Sequence, residues 1–223
     1  MTVVLRKPTL SLFIDKAYEN YGFVSAFIYG SQGSGKTTYA LKTLYYVYGS
    51  WEEALNNTYF YIDDLLPRLY DTFNRGERIK AILLDDAGVW LMKYHWRKDF
   101  SVWFSKLFNL LRTIVSGVIF TSVEATDIVK FVRDKMMYRV YVIKISNTHS
   151  IAIGYKVNIT PLLEQYVERI FEDTYSLKLP NDVREKYEAK RREAISTLFQ
   201  ELKGIEIDRE ELLEELDRKI GLT

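Results

Sequence analysis

The sequence predicts an α/β protein with a mostly parallel central sheet and a small helical extension at its C-terminal end. Short apolar runs typical of buried strands alternate with segments of helical periodicity, beginning with residues 24–29 and 39–47. A glycine-rich loop joins this first strand to its helix, and a second apolar run over 79–84 ends in two aspartates. Because a charge-dense tail begins at Pro180, we expect a main domain over 1–180 and a helical extension over 181–223.

The composition limits the classes of protein to which the chain can belong. Of its 223 residues, 48% are hydrophobic, which is enough for one sizeable core, and the net charge of +1 favours no particular partner. The absence of cysteine excludes disulfides and thiolate metal sites, and the two histidines disfavour a zinc site. No apolar run approaches the roughly 18 residues of a membrane-spanning helix. We therefore expect no membrane association and a cytoplasmic location.

Residues 30–37 form the most informative motif, because they match the pattern G-x-x-x-x-G-K-[ST] in full. The glycines at 30, 33 and 35 permit positive φ angles and a close approach of the backbone to a ligand. Backbone N–H groups and the helix N-terminus then form a concave anion site, where Lys36 can reach the β- and γ-phosphates and Thr37 can ligate Mg²⁺. The alternative is a glycine-rich turn that matches by chance.

The flanking strand and helix favour the phosphate-binding interpretation, so the motif predicts the P-loop of a nucleoside triphosphatase. The residues expected to bind the nucleotide are Gly30, Ser31, Gln32, Gly33, Ser34, Gly35, Lys36, Thr37 and Thr38.

The apolar run 79–84 with Asp85 and Asp86 after it is typical of the second signature of such enzymes, the Walker B strand. A buried parallel strand delivers a carboxylate at its C-terminal end, beside the P-loop. The alternative is a structural strand followed by an aspartate-rich turn. Because the P-loop precedes this run at a workable distance, we favour the functional interpretation.

Residues 89–104 hold three of the four tryptophans, and basic side chains lie between them at Lys93, His95, Arg97 and Lys98. Cations next to aromatic rings suit backbone phosphates and stacked bases, so the segment 93–98 is a candidate contact for DNA. The alternative is an amphipathic lid or a subunit contact, with Trp90 and Trp103 in the core.

The remaining elements follow from periodicity and turn residues. Predicted helices cover 10–21, a segment from an N-cap at Asp63 or Asp64 with Pro67 in its first turn, 104–115, 125–135, 161–171, and two tail helices separated by Gly204. Predicted strands cover 57–62, 117–122, 137–145 and 151–159, the last two as an antiparallel hairpin.

This order of elements resembles the P-loop ATPases that insert a strand between Walker A and Walker B, a group that holds AAA+ proteins, RecA-like motors and DNA-packaging ATPases. The resemblance covers roughly residues 24–145 and is specific at Gly30–Thr38 and Leu83–Asp86. The chain is also similar to small ATPases of archaeal viruses or plasmids and to helicase-loader ATPases. The resemblance implies a three-layer sandwich, ATP and Mg²⁺ as ligands, a homo-oligomer, and a role in handling DNA.

The resemblance also implies roles for individual residues. Asp85 corresponds to the ligand of Mg²⁺, and Asp86 stands where relatives carry a glutamate that orients the attacking water. Because aspartate is one methylene shorter, Glu124 is an alternative for that task. Adjacent strand residues point to opposite faces, which also separates the roles of Asp85 and Asp86.

Two further positions match this group. Thr121, at the end of a strand, matches the polar sensor that faces the γ-phosphate. Arg133 or Arg139 matches the trans-acting arginine finger, the alternative being ordinary surface charge. No N-K-x-D motif of Ras-type GTPases and no sensor-2 arginine of AAA+ lids is found in the sequence.

Three functions stay open at this point. The first is an oligomeric ATPase that loads, translocates or packages DNA. The second is a small-molecule or nucleotide kinase, which needs a substrate pocket and an arginine-rich lid. The third is a nucleotide-binding switch that controls assembly with little turnover.

Overall fold

The computed structural model describes residues 7–88, 99–123 and 134–220. Helices in this part of the chain are α1 (Thr9–Glu19), α2 (Lys36–Tyr48), α3 (Trp51–Asn56), α4 (Ile62–Asn74), α5 (Phe100–Ile114) and α6 (Asn181–Ile220). Strands are β1 (Val24–Tyr29), β2 (Thr58–Tyr59), β3 (Ile79–Leu84), β4 (Val115–Ser122), β5 (Tyr138–Lys144), β6 (His149–Ile159) and β7 (Gln165–Ser176).

The described strands form one mixed sheet in the spatial order β2-β3-β4-β1-β5-β6-β7. The first five strands in this order run parallel to one another, and β6 pairs antiparallel with both β5 and β7. Strand β1 lies between β4 and β5, so the loop that follows it opens near the middle of the sheet. This architecture confirms the predicted α/β class and the mostly parallel sheet.

Helices pack against both faces of the sheet. On one face, Phe27 and Val118 belong to a core cluster that also contains Leu65 of α4 and Phe104 of α5. On the other face, α1 approaches β4 so closely that a Cβ on Gly117 would lie 2.9 Å from the side chain of Ile14. The arrangement is compatible with a three-layer α/β fold.

The chain divides into two compact units at Val183. The first unit contains the sheet and helices α1 to α5, and the second begins at Arg184 and, within the described residues, consists of the rest of α6. Among the described helices, none combines the length and the apolar character that crossing a membrane requires.

The helix predicted over 161–171 is wrong, because this segment contains a turn and the first half of β7. Strand β7 pairs with β6 from Gln165 to Ser176, so its backbone groups are satisfied by a partner strand rather than within a helix. Burial alternates at Phe171, Asp173 and Tyr175, which is the period of a strand.

The two predicted tail helices are instead one continuous helix, α6, which runs through Gly204. A glycine inside a helix costs about 1 kcal/mol relative to alanine. Glutamate, lysine, leucine and arginine, which are strong helix formers, flank this position on both sides and outweigh that cost.

Other predicted elements are confirmed with shifted bounds, including those of α1, α5, β4, β5 and β6. Helix α1 ends at Glu19, two residues early, because Tyr21 adopts a left-handed φ of 54° and Gly22 donates its N–H to Ala17. The N-cap predicted at Asp63 or Asp64 is wrong. The cap is Tyr61, and the two aspartates occupy the first turn, where the helix dipole favours negative charge.

Two further predicted elements, a strand and a helix, also need comparison with the structure. The strand predicted over 57–62 is only two residues long, Thr58–Tyr59. The helix predicted over 125–135 falls outside the described residues except for Asp134 and Lys135, which lie in a turn.

Candidate functional site

The candidate site lies where three parallel strands, β1, β4 and β3, end side by side. Strand β1 leads into the glycine-rich loop (residues 30–36), and β3 ends immediately before Asp85. Strand β4 lies between them and places Thr121 opposite Ile28 of β1. Because the carboxyl ends of parallel strands share one edge, residues distant in sequence meet there.

Two glycines of the glycine-rich loop have positive φ angles and close neighbours, which disfavour a larger residue at either position. Gly30 has a φ of 151°, and a Cβ there would lie 2.3 Å from the carbonyl oxygen of Val142 on β5. Gly35 has a φ of 98°, and a Cβ there would lie 2.3 Å from Cδ2 of Leu177. At Gly33 the φ is 73°, but no atom lies within 4 Å of such a Cβ. The loop therefore fits tightly against β5 and against the end of β7, and it is open at Gly33.

Lys36 closes this loop on itself. Its Nζ donates to the carbonyl oxygens of Gly30, at 2.8 Å, and Ser31, at 3.0 Å. The side chain is buried, so its charge sits inside the loop rather than in bulk water. Helix α2 begins at this residue, and no side-chain hydrogen bond caps it within the described structure. A buried cation and a helix N-terminus together favour an anion.

Asp85 is the centre of a buried hydroxyl–carboxylate network. The Thr37 hydroxyl donates to its two carboxylate oxygens at 3.1 and 3.2 Å, and the Thr121 hydroxyl donates to Oδ1. The carboxylate is completely buried, and a buried charge is stable only when it is hydrogen-bonded or paired. Hydroxyl and carboxylate oxygens side by side are also the kind of donors that Mg²⁺ prefers.

Asp86 lies beyond the end of β3 in a left-handed conformation, with φ 49°. The expectation that Asp85 and Asp86 lie within a strand is wrong, because both residues lie in the turn after β3. Aspartate tolerates this conformation better than most residues. Such strained backbones are concentrated at functional sites, so the geometry is consistent with a chemical role for Asp86.

Thr121 holds both aspartates in place. Its fully buried hydroxyl donates to the Asp85 carboxylate and accepts the backbone N–H of Asp86 at 2.9 Å. The structure thus gives Thr121 a positioning role that the sequence did not indicate, and its role as a γ-phosphate sensor stays a prediction.

The remaining predicted loop residues differ in their exposure to solvent. Ser31, Gln32 and Gly33 are exposed, Thr38 is half-buried, and Ser34 is buried. The Ser34 hydroxyl has no hydrogen-bond partner within the described structure.

Of the two candidate arginine fingers, the structure places only Arg139. It lies in β5 opposite Phe27 of β1, and its Nη2 is 4.0 Å from the carboxylate of Asp134. Arg133, Glu124 and the basic and aromatic segment 93–98 lie outside the described residues.

The structure adds residues to the site that sequence reasoning missed, all on the β6–β7 hairpin (residues 149–176). Ser150 donates its hydroxyl to the Ser34 carbonyl at 2.7 Å, and Tyr175 donates its hydroxyl to the Gly35 carbonyl at 2.9 Å. Alternation in 171–175 could have indicated the strand, but no local pattern indicates its contact with the loop.

The same hairpin binds helix α2. Asp173 accepts hydrogen bonds from the Tyr39 hydroxyl at 2.6 Å and from the backbone and side chain of Thr9, each at 2.7 Å. Burial first, and then the Asp173 carboxylate, raises the pKa of the Tyr39 phenol well above its ordinary value, so Tyr39 remains a donor at neutral pH. Lys42 donates to the Ser176 carbonyl.

Comparison with known proteins finds relatives among viral proteins. The chain is 35% identical over 206 residues to the uncharacterized protein B-251 of Sulfolobus spindle-shape virus 1, with 85% of this chain and 82% of that protein covered. It is 27% identical over 181 residues to the uncharacterized protein ORF286 of Acidianus two-tailed virus, covering 78% of this chain and 61% of that protein. No protein-family model matches the sequence.

Proposed function

The chain belongs to the family of the uncharacterized protein B-251 of Sulfolobus spindle-shape virus 1, and we propose that it is an Mg²⁺-dependent ATPase of the P-loop class with a three-layer fold. One observation carries the proposal. The glycine-rich loop that holds Lys36 ends beside a Thr37–Asp85 pair, whose oxygens lie 3.1 Å apart at the carboxyl edge of parallel strands. This arrangement supports the proposal, because a metal–triphosphate ligand requires an anion site beside oxygen donors for the metal.

Each group in the site has a chemical task in this proposal. Lys36 gives up its bonds to the Gly30 and Ser31 carbonyls and places its charge on the β- and γ-phosphates. The Thr37 hydroxyl and the Asp85 carboxylate would hold Mg²⁺. When bound, the metal neutralises charge that develops on the phosphates. Asp86 orients the attacking water, and Thr121 keeps the two aspartates in register.

The proposal extends to a homo-oligomer that couples hydrolysis to DNA loading, translocation or packaging. It is supported by the sequence pattern, by the viral origin of both relatives, and by the basic and aromatic segment 93–98. An arginine from a neighbouring subunit, Arg133 or Arg139, completes the site and stabilises the transition state.

A nucleotide-binding switch with little turnover is the second candidate. Asp86 favours it, because this side chain is one methylene shorter than the glutamate of the related ATPases and its backbone is fixed to Thr121. A water held less well at this position lowers the rate of hydrolysis without weakening binding.

Turnover of ATP by the purified protein, with and without single- or double-stranded DNA, separates these functions. The DNA-coupled ATPase predicts a rate that DNA increases and an assembly whose mass rises when ATP is present. Tight binding with negligible turnover in all conditions indicates the switch, and ADP formation that depends on a small acceptor indicates a kinase.

Mixing two inactive variants tests the oligomeric site. Arg133→Ala keeps the P-loop intact, and Lys36→Ala keeps the arginine intact. A mixed assembly therefore recovers activity at sites where the intact P-loop of one subunit faces the intact arginine of another. Complementation by Arg139→Ala instead identifies Arg139 as the finger. Activity that depends on neither arginine nor on protein concentration contradicts a shared site.

A further inference from the structure

Two hydroxyl groups of the β6–β7 hairpin contact consecutive peptide units of the glycine-rich loop. Ser150 is completely buried and donates to the Ser34 carbonyl at 2.7 Å. Tyr175 is also buried and donates to the Gly35 carbonyl at 2.9 Å, which also accepts the first backbone bond of helix α2 from Tyr39. Each donor lies more than a hundred residues from its acceptor, at separations of 116 and 140 residues.

These bonds fix the direction of two N–H groups. In a planar trans peptide, the carbonyl and the N–H point in opposite directions. The Ser34 carbonyl shares its peptide plane with the N–H of Gly35, and the Gly35 carbonyl shares its plane with the N–H of Lys36. Because both carbonyls point toward the hairpin, both N–H groups point away from it.

The hairpin itself is held in position by the neighbouring helix. Asp173 accepts the Tyr39 hydroxyl, and Lys42 donates to the Ser176 carbonyl, so residues on both sides of Tyr175 in sequence are bound to α2. Burial raises the pKa of the Tyr175 phenol, against a smaller opposing effect of Ser150, so its proton remains available for donation at neutral pH.

We propose that Ser150 and Tyr175 are positioning residues, which hold the glycine-rich loop so that the N–H groups of Gly35 and Lys36 face the phosphates of a bound nucleotide. The proposal rests on the ATP-binding function proposed above. Without these hydroxyls, the Ser34 carbonyl loses a buried partner, and its peptide can rotate to find another. That rotation turns an N–H donor away from the ligand and lowers the affinity for phosphate.

The test uses Ser150→Ala, Tyr175→Phe and the double variant in the full-length chain. The loop contacts phosphates in both the bound complex and the transition state, so its loss raises KM for ATP and leaves kcat within about twofold. We expect KM to rise about fivefold in Ser150→Ala, because the Ser34 carbonyl loses this donor, and at least about fivefold in the double variant. The rise in Tyr175→Phe should be smaller, because the Gly35 carbonyl keeps the backbone N–H of Tyr39. A merely structural role instead lowers the melting temperature and the active fraction, without changing KM.

Matched controls come from the turn that precedes β6 and from β7. Ser146→Ala removes a hydroxyl that bonds the backbone N–H groups of Thr148 and His149 within the turn, and Tyr166→Phe removes a hydroxyl from an exposed residue of β7. Both controls should keep the wild-type KM.

The outcomes separate this inference from the function on which it rests. A wild-type protein that binds and hydrolyses ATP, together with folded single and double variants of unchanged KM, overturns the positioning role and leaves the ATPase standing. A wild-type protein that binds no nucleotide overturns both. A raised KM at unchanged kcat in the Tyr175→Phe and Ser150→Ala variants, and not in the controls, supports both.

Discussion

The carboxyl edge of the parallel strands and the antiparallel hairpin contact the same loop with different chemistry. The parallel edge contributes charged groups, Lys36, Asp85 and Asp86, which follow the ends of β1 and β3 in the sequence. Within the described residues, the hairpin contributes only neutral groups to the loop backbone, the hydroxyls of Ser150 and Tyr175. The neighbouring strand β5 places the Val142 carbonyl against Gly30.

This difference shows how chemistry and support are divided along the chain. Groups that meet a ligand need a fixed spacing from the strand that carries them, so they occur as short motifs. Groups that support the loop need only reach its backbone, so they can come from any element that packs there. Substitutions of the charged groups at the parallel edge should therefore change the reaction. Substitutions of the groups that support the loop should change stability or affinity.

The largest expected effect comes from a substitution that breaks the contact between the glycine-rich loop and β5. In Gly30→Ala, the new Cβ would lie 2.3 Å from a backbone oxygen, which cannot move aside as a side chain can. We expect the free energy of unfolding, measured by urea denaturation, to fall by about 4 kcal/mol. Gly33→Ala meets no atom within 4 Å, so only backbone strain of about 1 kcal/mol applies. Equal losses in the two variants would show that the loop is not held by β5.

The second prediction separates the two aspartates of the parallel edge. Asp85→Asn should weaken Mg²⁺-dependent ATP binding, because it removes the buried charge beside Thr37. Asp86→Asn should keep binding and lower kcat about 100-fold, because it removes the group that orients water. Calorimetric titration of Mg²⁺·ATP and steady-state turnover measure the two effects. The opposite pattern contradicts the assigned roles, and a faster Asp86→Glu variant identifies short reach as the limit on turnover.

Thr121→Val removes the hydroxyl that links the two aspartates and keeps the shape of the side chain. The Asp86 N–H loses its acceptor and Asp85 loses one donor, so we expect the free energy of unfolding to fall by about 2 kcal/mol. Turnover should fall as well, because the Thr121 hydroxyl no longer fixes the positions of the two aspartates. Thr121→Ser keeps the hydroxyl and should stay near wild type in both assays. A Thr121→Val variant as stable and active as Thr121→Ser would remove this positioning role.

The smallest expected effect concerns the bond between Tyr39 of α2 and Asp173 of the hairpin, and it appears only at alkaline pH. The pKa of Tyr39 is raised in the fold, so its contribution to stability is complete below its ordinary pKa of 10.0 and is lost as the pH rises toward the folded value. Urea denaturation between about pH 9 and about pH 11 should show a decline that is smaller in Tyr39→Phe by about 1 kcal/mol at the upper end. Tyr21→Phe, at an 85% exposed position, should decline like wild type. An identical decline in Tyr39→Phe would contradict the buried Tyr39–Asp173 bond.

Local pattern predicted most of the fold, including the antiparallel pairing of β5 with β6, but not the edge strand β7. Strands β1 and β3 were predictable because each is a short apolar run that ends at a motif, and helix α2 because it follows the glycine-rich loop. Strand β7 was not, since its identity depends on pairing with β6 rather than on its own propensity. For the same reason, the sequence predicted Lys36, Thr37 and Asp85 in the site, but it could not indicate Ser150 and Tyr175.

The central claim is that the loop around Lys36 is a site of Mg²⁺-dependent ATP hydrolysis, and phosphate release from ATP tests it most directly. Wild type and Lys16→Ala, which changes an exposed lysine of α1, should hydrolyse ATP when Mg²⁺ is present and stop when it is chelated. Lys36→Ala, which removes the cation buried in the loop, should fall to the background rate while keeping the melting temperature of a folded protein. Turnover in Lys36→Ala equal to that of Lys16→Ala would contradict the claim.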